Sequence, residues 1–366
     1  MDRFLINKGG SLGGSFGGSS SSATAATTAS TGKTFSSSAT TLKLLSWNID
    51  SITTKSGDHK SENKLELLLE RMGVKPDIIN LQETKRSKSE GMPRIANYML
   101  IASALCDKGA NGCAVYVKTI LNSSSTISKI EDFDESIDGK KQGRLVGIRI
   151  SNLANGPIAL FGVYAVNTLG RNVDRKKELE RKSMDEVLRA QIASEVSRDS
   201  RTRIVVAGDL NVTMSLLDKG KHNDTSRWGE SHFEDITSPI DRVTGLMNAF
   251  KLEDTWRESV GPQLKVHRDT RTTTYAANST FGKGGCRLDY ILVSKREGEL
   301  KKTEEDLSSD SDSDGPLVPP SKRQRKEEPL KWWSNSVAYY GKGWRLSNDQ
   351  YGNGSDHLPT IIELEP

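Results

Sequence analysis

The stretch Leu42-Lys43-Leu44-Leu45-Ser46-Trp47-Asn48-Ile49-Asp50 is a short apolar run that ends on an amide and a carboxylate. A run of this length, bounded by polar residues, predicts a buried strand. The pattern recurs along the chain: Ile78 to Leu81 is followed by Glu83, Ile204 to Ala207 by Asp209 and Asn211, and Thr360 to Leu364 is preceded by Asp356 and His357. Leu288 to Val293 carries Asp289 within Arg287-Leu288-Asp289-Tyr290, and Cys113 to Val117, Leu145 to Ile150 and Ile158 to Tyr164 complete the set. Between these runs, Leu65, Leu68, Leu69 and Met72 share one face of a 3.6-residue period, and Met184, Val187, Leu188, Ile192 and Val196 share another. Strands alternating with helices predict an α/β fold. No repeat at a fixed period is present, which excludes solenoids and propellers.

With 34% hydrophobic and 6% aromatic residues over 366 positions, part of the chain must lie outside a packed core. Of the first 40 residues, 28 are Gly, Ser, Thr or Ala, so residues 1–41 are expected to form a disordered tail. A second polar stretch, 297–329, holds the run Ser308-Ser309-Asp310-Ser311-Asp312-Ser313-Asp314 and then Lys322-Arg323-Gln324-Arg325-Lys326. It reads as a disordered charged insert in a catalytic domain of residues 42–366, leaving roughly 290 residues to fold. The acidic run resembles a site for acid-directed kinases. The basic run resembles a nuclear import signal, with a plain solvated charge run as the alternative.

Fifty-two Lys and Arg against 48 Asp and Glu give a net charge of +4, which permits a nucleic-acid partner without identifying one. Cys106, Cys113 and Cys286 form no CxxC pair, which argues against a structural zinc site and predicts free thiols in a reducing compartment. No apolar run approaches the roughly 18 residues of a membrane span. The expectation is a soluble intracellular protein.

Asp and Asn are ordinary turn formers, so any single strand end bearing one is unremarkable. Five such places together predict a site where strand ends converge on one rim. Oxygen donors without a Cys/His cluster favour a hard cation, and magnesium takes one or two carboxylates beside water and phosphate. Glu83 is the first candidate ligand, with Asp50 and Asp356 in support. Hydrolysis of a phosphodiester needs an activated water and neutralised charge on phosphorus, roles that the remaining polar groups fit.

Ser46-Trp47-Asn48-Ile49-Asp50, Leu81-Gln82-Glu83-Thr84-Lys85, Gly208-Asp209-Leu210-Asn211, Arg287-Leu288-Asp289-Tyr290 and Gly354-Ser355-Asp356-His357 resemble, in order, motifs of the exonuclease III type of apurinic/apyrimidinic endonuclease. That type belongs to the endonuclease/exonuclease/phosphatase superfamily. The resemblance spans Leu42 to Pro366 apart from the insert. It implies a four-layered α/β sandwich of the DNase I-like kind, two packed mixed sheets flanked by helices. It places magnesium, with manganese as an alternative, at Asp50, Glu83 and Asp356 with Asn48 close by, and Asp209, Asn211 and His357 complete the metal-binding set. It also assigns water activation to Asp209, the phosphate to Asn211, phosphorane stabilisation to His357 oriented by Asp289, and a phosphate contact to Tyr164 beside Asn167. The implied partner is double-stranded DNA with abasic or blocked 3′ ends. The protein would act as a monomer, away from membranes, in the nucleus or otherwise the cytoplasm.

The pattern is departed from at Thr272 and Thr273, where relatives place two aromatics ahead of the position of Tyr275, and at Cys286, where many carry a large apolar residue. A smaller, more polar wall gives less contact to a flipped-out abasic sugar. Tyr164 also suits a packed strand position, Asp218 a loop cap, and Trp332, Trp333 and Trp344 the packing of the insert's return strand. His59, His222, His232 and His267 carry no motif. Two other functions fit the residues: a phosphodiesterase with another phosphate substrate, and a catalytically dead DNA-binding protein of the same fold.

Overall fold

Period-2 alternation places Leu42 and Leu44 on one face of the first strand and Leu45 and Trp47 on the other, and the two sets enter different cores. The computed structural model describes residues 41–53, 65, 66, 69, 70, 75–124, 126–131, 142–153, 155–168, 174–215, 218, 231, 233–260, 287–295, 357 and 360–364. The expectations for 1–40, for the insert at 297–329, and for Asp356, Thr272, Thr273, Tyr275, Cys286 and the three tryptophans lie outside the described residues.

One sheet runs, edge to edge, β11 (Thr360–Leu364), β1 (Leu42–Asn48), β2 (Ile78–Gln82), β4 (Cys113–Lys118) and β3 (Tyr98–Ala104). The other runs β5 (Thr126–Lys129), β6 (Leu145–Ser151), β7 (Ile158–Tyr164), β8 (Arg203–Asp209), β10 (Asp289–Ser294) and β9 (Leu252–Asp254). Each sheet has one parallel pair, β1 with β2 and β7 with β8, and every other pairing is antiparallel. Both sheets are therefore mixed.

Leu44, Ile78 and Val115 of the first sheet meet Ile148, Leu160, Val205 and Ile291 of the second in an apolar layer between them. The outer face of the second sheet, with Phe161 and Val206, is covered by α2 (Arg175–Arg198) through Met184, Leu188 and Ile192, and by α3 (Pro239–Phe250) through Val243 and Leu246. Asp174 caps α2 by accepting from the Lys177 N–H, and Ser238 caps α3 ahead of Pro239, which suits a first helical position. On the far side, Leu45, Trp47, Ile79 and Tyr116 pack on Leu65, which is helical and buried. Two short helices, α1 (Thr119–Ser124) and α4 (Thr255–Val260), lie beside the sheets in sequence. The described fold is the predicted sandwich, and none of its described helices is long and apolar enough to cross a membrane.

Every apolar run quoted from the sequence is a strand. Unanticipated were β3, β5 and β9, all sheet edges, with α3 and the short helices α1 and α4. Strands β3 and β5 are largely half-exposed or exposed, which breaks up their apolar runs, whereas the edge strand β11 is buried and was read.

Towards the ends of β1 and β2 the inward face changes character, because Ser46, Asn48, Asn80 and Gln82 take the positions that alternation assigns to the core between the sheets. Asn80 Nδ2 bridges the sheets, donating to Ser46 Oγ at 3.2 Å and to the Ala207 carbonyl at 2.9 Å. Gly162 makes room for it: a Cβ there would stand 2.2 Å from Asn80 Oδ1.

Candidate active site

Topology delivers the polar strand ends to one rim. The parallel pairs send the C-terminal ends of β1, β2, β7 and β8 the same way within each sheet, and β10 and β11, antiparallel to their neighbours, begin there. Asp289 is thereby paired in register with Asp209, and Tyr164 with Asp209 on its other side. Three of the candidate residues leave their strands in the left-handed region, Asp50 at φ 47°, Glu83 at 50° and Asn211 at 48°. Such conformations cost on the order of 1 to 3 kcal/mol each and gather at functional sites.

Asn48 joins the two sheets. Its amide nitrogen donates to Glu83 Oε1 at 2.9 Å and to Asp209 Oδ2 at 3.1 Å, while its oxygen accepts from the Asp50 N–H at 3.3 Å. Asp209, 2% exposed, also accepts from the Asn211 N–H at 2.9 Å and from Asn211 Nδ2 at 3.3 Å. Asn211 Nδ2 reaches the Ala165 carbonyl at 2.9 Å as well, so the loop after β8 is tied to the loop after β7. His357 Nδ1 lies 2.7 Å from Asp289 Oδ2, its Nε2 stands 3.9 Å from Asp209 Oδ2, and its carbonyl accepts from the Trp47 indole N–H at 3.0 Å. The pairing of Asp289 with His357 expected from the sequence is present.

Burial pushes the Asp209 carboxyl up to about 7; the Asp289 charge adds to this, while charge on His357 and the hydrogen bonds from Asn211 and Asn48 oppose it. Asp209 is thus a carboxylate poised to exchange a proton near neutrality. Tyr164 is raised well above the ordinary tyrosine value, by burial first and then by the Glu83 carboxylate to which it hydrogen-bonds. Its hydroxyl keeps its proton and is a donor at the rim. Arg144 stacks on its ring, 5.0 Å from the centroid, and donates to the Tyr164 and Ala165 carbonyls at 3.3 and 3.4 Å.

One contact bears on whether the donor set suits magnesium: the Lys85 ammonium bridges Asp50 Oδ1 and Glu83 Oε2, the latter at 3.3 Å. Burial works against the charge of Lys85, yet its contacts with Asp50 and Glu83 outweigh this and raise it above the ordinary lysine value. A cation is therefore already favoured between these carboxylates, and their oxygens beside the Asn48 amide are hard donors that fit magnesium. Among the described residues no three His, Cys, Asp or Glu side chains close on one point. The remaining predicted ligand, Asp356, lies outside them.

Asn167 is exposed on the loop after β7. Asp218 is buried; it accepts from the Ser215 N–H at 3.1 Å and pairs with Arg287 at 2.9 Å, which is the work of a cap and a buried ion pair. Lys85 and Arg144 were given no role by the sequence reading. Lys85 stands inside a quoted motif and was within reach of inference, whereas Arg144 meets Tyr164 only through the register of β6 on β7.

Two mixed sheets face to face, helices outside, and a rim of carboxylates, amides and one histidine define the DNase I-like class of α/β sandwich. The chain belongs to the Endonuclease/Exonuclease/phosphatase family, whose sequence profile matches residues 45–357. Among solved structures of similar fold are the AP endonuclease LMAP from Leishmania major (TM-score 0.61, 18% identity, 89% of this chain and 88% of that one) and the APE2 catalytic domain from Xenopus laevis (0.56, 18%, 88% and 92%). A third is the 3′ phosphatase NExo from Neisseria bound to a product DNA hairpin (0.55, 17%, 89% and 100%). No curated protein sequence matches the chain at a significant level.

Proposed function

We propose that this chain is a magnesium-dependent phosphodiesterase of DNA repair, hydrolysing the backbone 5′ to abasic sites or trimming blocked 3′ ends. The observation that carries the reading is the connected polar rim, from Asp289 through His357 and Asp209 to Asn48 and Glu83, which crosses from one sheet to the other. The AP endonucleases and the 3′ phosphatase of similar fold support a DNA substrate.

Each group has a position suited to one task. Asp209, ionised, takes a proton from the attacking water, with Asn48 and Asn211 fixing its two oxygens. Water oxygen bonds to phosphorus as the bond to the 3′ oxygen breaks, and that oxygen leaves as an alkoxide that takes a proton from solvent, while Asp209 later returns its proton to solvent. His357, its ring held through Nδ1 by Asp289, presents Nε2 to a phosphoryl oxygen; Asn211 would exchange its 3.3 Å bond to Asp209 for the phosphate, and the protonated Tyr164 hydroxyl would turn to it from Glu83. Magnesium, held by Glu83, Asp50 and Asp356 with Asn48, would neutralise charge on the phosphoryl oxygens. On this reading the protein works as a monomer in the nucleus, to which the basic run 322–326 would direct it.

The test is purified protein on an abasic duplex, an undamaged recessed duplex and a duplex blocked at its 3′ end, in magnesium and in EDTA. Cleavage in magnesium, abolished by EDTA and lowered at least about a hundredfold by Glu83→Gln, is the expected result. Binding without cleavage, or cleavage only of phosphate esters outside DNA, would overturn it. Thr272 and Thr273 are expected to hold the preference for abasic over undamaged DNA roughly tenfold below that of relatives with aromatics there.

A further inference from the structure

Behind the rim, on the outer face of the second sheet, a cavity of about 280 Å³ opens between α2 and α3. It is lined by Arg181, Asp185, Arg189, Arg242 and Gly245 above an apolar floor that includes Val206 and Leu246. Arg181 is completely buried. Its Nε donates to both oxygens of Asp185 at 3.0 Å and its Nη1 to the Val166 carbonyl at 3.1 Å. Arg242 uses the same carboxylate, Nε to Oδ2 at 2.7 Å, and gives Nη1 to the Thr237 carbonyl.

Two guanidinium charges thus share one carboxylate, and Nη2 of each is buried without a hydrogen-bond partner among the described residues. A buried unpaired donor costs about 1 to 3 kcal/mol, more when charged, so this arrangement calls for an acceptor. Burial lowers Arg181 from its ordinary value, and Arg242 lowers it further against the pull of Asp185, as expected where positive charge is in excess. Of the other charged residues in the lining, Lys182 and Glu186 pair with each other at 3.8 Å, and the Asp241 carboxylate accepts from Ser238 Oγ at 2.7 Å, so with Arg189 the cations still exceed the carboxylates by one.

We propose that this cavity is a binding site for a phosphate-type oxyanion, distinct from the catalytic rim and held by the two Nη2 groups of Arg181 and Arg242. Planar guanidinium donors suit a tetrahedral oxyanion. Arg242, 10% exposed, lies nearer the solvent and is the more accessible of the two, while Arg181 is fully buried. Arg189, exposed at the mouth, adds a third positive charge. The anion is either free phosphate or the terminal phosphate of a nucleic-acid strand. Because Arg181 also holds the Val166 carbonyl, two residues beyond Tyr164, an occupant here would bear on the loop that carries Tyr164.

Titration of the full chain with inorganic phosphate in EDTA, followed by calorimetry and thermal unfolding, tests this. Wild type should bind one phosphate at this site and gain about 2 °C or more at a tenfold excess over Kd. Arg242→Gln should weaken that binding at least tenfold, and Asn211→Ala, at the rim, should leave it unchanged. Gly245→Leu guards against a variant that merely fails to fold. A Cβ at Gly245 meets nothing nearer than Arg189 Nη1 at 4.0 Å, and α3 gains from losing an interior glycine, so the side chain should plug the cavity in a folded protein. Loss of phosphate binding in Gly245→Leu with unfolding unimpaired is expected. A 5′-phosphorylated dinucleotide that binds where inorganic phosphate does not would assign the site to a strand end. Failure of both probes on wild type, or binding that survives Gly245→Leu and Arg242→Gln but not Asn211→Ala, would overturn the proposal.

Discussion

On the proposed mechanism, Asp209 is where the chemistry and the stability of this chain oppose each other. Its folded carboxyl titrates at about 7 against an ordinary 3.8, with burial as the main cause. The raised value means that the fold prefers the protonated form, so this contribution is fully present below about pH 3.8 and is lost as pH rises through about 7. The loss amounts to a few kcal/mol, in order of magnitude, once Asp209 is ionised. Asp209→Asn cannot ionise. In EDTA its advantage in unfolding temperature over wild type is therefore expected to grow between pH 5 and pH 8, while cleavage in magnesium is lost. Parallel pH curves for the two proteins would mean that Asp209 carries no such burden. The identity of this residue was legible, because an aspartate and an asparagine directly after an apolar run are visible in Gly208-Asp209-Leu210-Asn211. Its burial was not, since that depends on Asn48 from the other sheet, 161 positions away.

At the scale of elements, the start of β10 decides whether Asp289 can orient His357. Arg287, 1% exposed, anchors it through Asp218 at 2.9 Å and Asp254 at 3.0 Å, between the rings of Trp256 and Tyr290 at 4.6 and 4.1 Å. So strong a local anchor fixes the carboxylate two residues on, and leaves His357 as the member it must capture from across the sandwich. Asp289→Ala and His357→Ala are each expected to lower kcat at least tenfold, with the double variant little worse than the slower single one. Such groups act as a unit, and their losses do not add. Fully additive losses would show that the 2.7 Å contact is structural only. The strands behind this arrangement were legible where both faces are buried, the edge strand β11 included, because such a strand reads as a continuous apolar run. The edges β3, β5 and β9 were not, and neither was the polar inward face of Ser46, Asn48, Asn80 and Gln82, where alternation alone predicts apolar side chains.

For the whole molecule, the question is what must connect β10 to β11. Strand β10 begins at the rim and ends with Ser294 at the opposite end of its sheet, whereas β11 begins near the rim with Thr360 in the other sheet. The connection must return along one strand, roughly 20 Å for six residues at 3.3 Å each, and cross about 10 Å between sheets. An extended chain covers that in about ten residues. Deleting 298–328 leaves about 34 residues between Ser294 and Thr360, several times the requirement even for a path that wanders. The core layers are built from the strands and from α2 and α3, and a charged Ser/Asp and Lys/Arg stretch has little apolar surface to add to them. Deleting 298–328, or 1–40, is therefore expected to shift the unfolding temperature by less than about 2 °C and to leave magnesium-dependent cleavage intact. Only the first deletion removes the basic run 322–326, so only it should abolish nuclear accumulation of a fluorescent fusion. A large loss of stability would place part of the stretch in the packed structure, and accumulation that survives its removal would assign the address to another part of the chain.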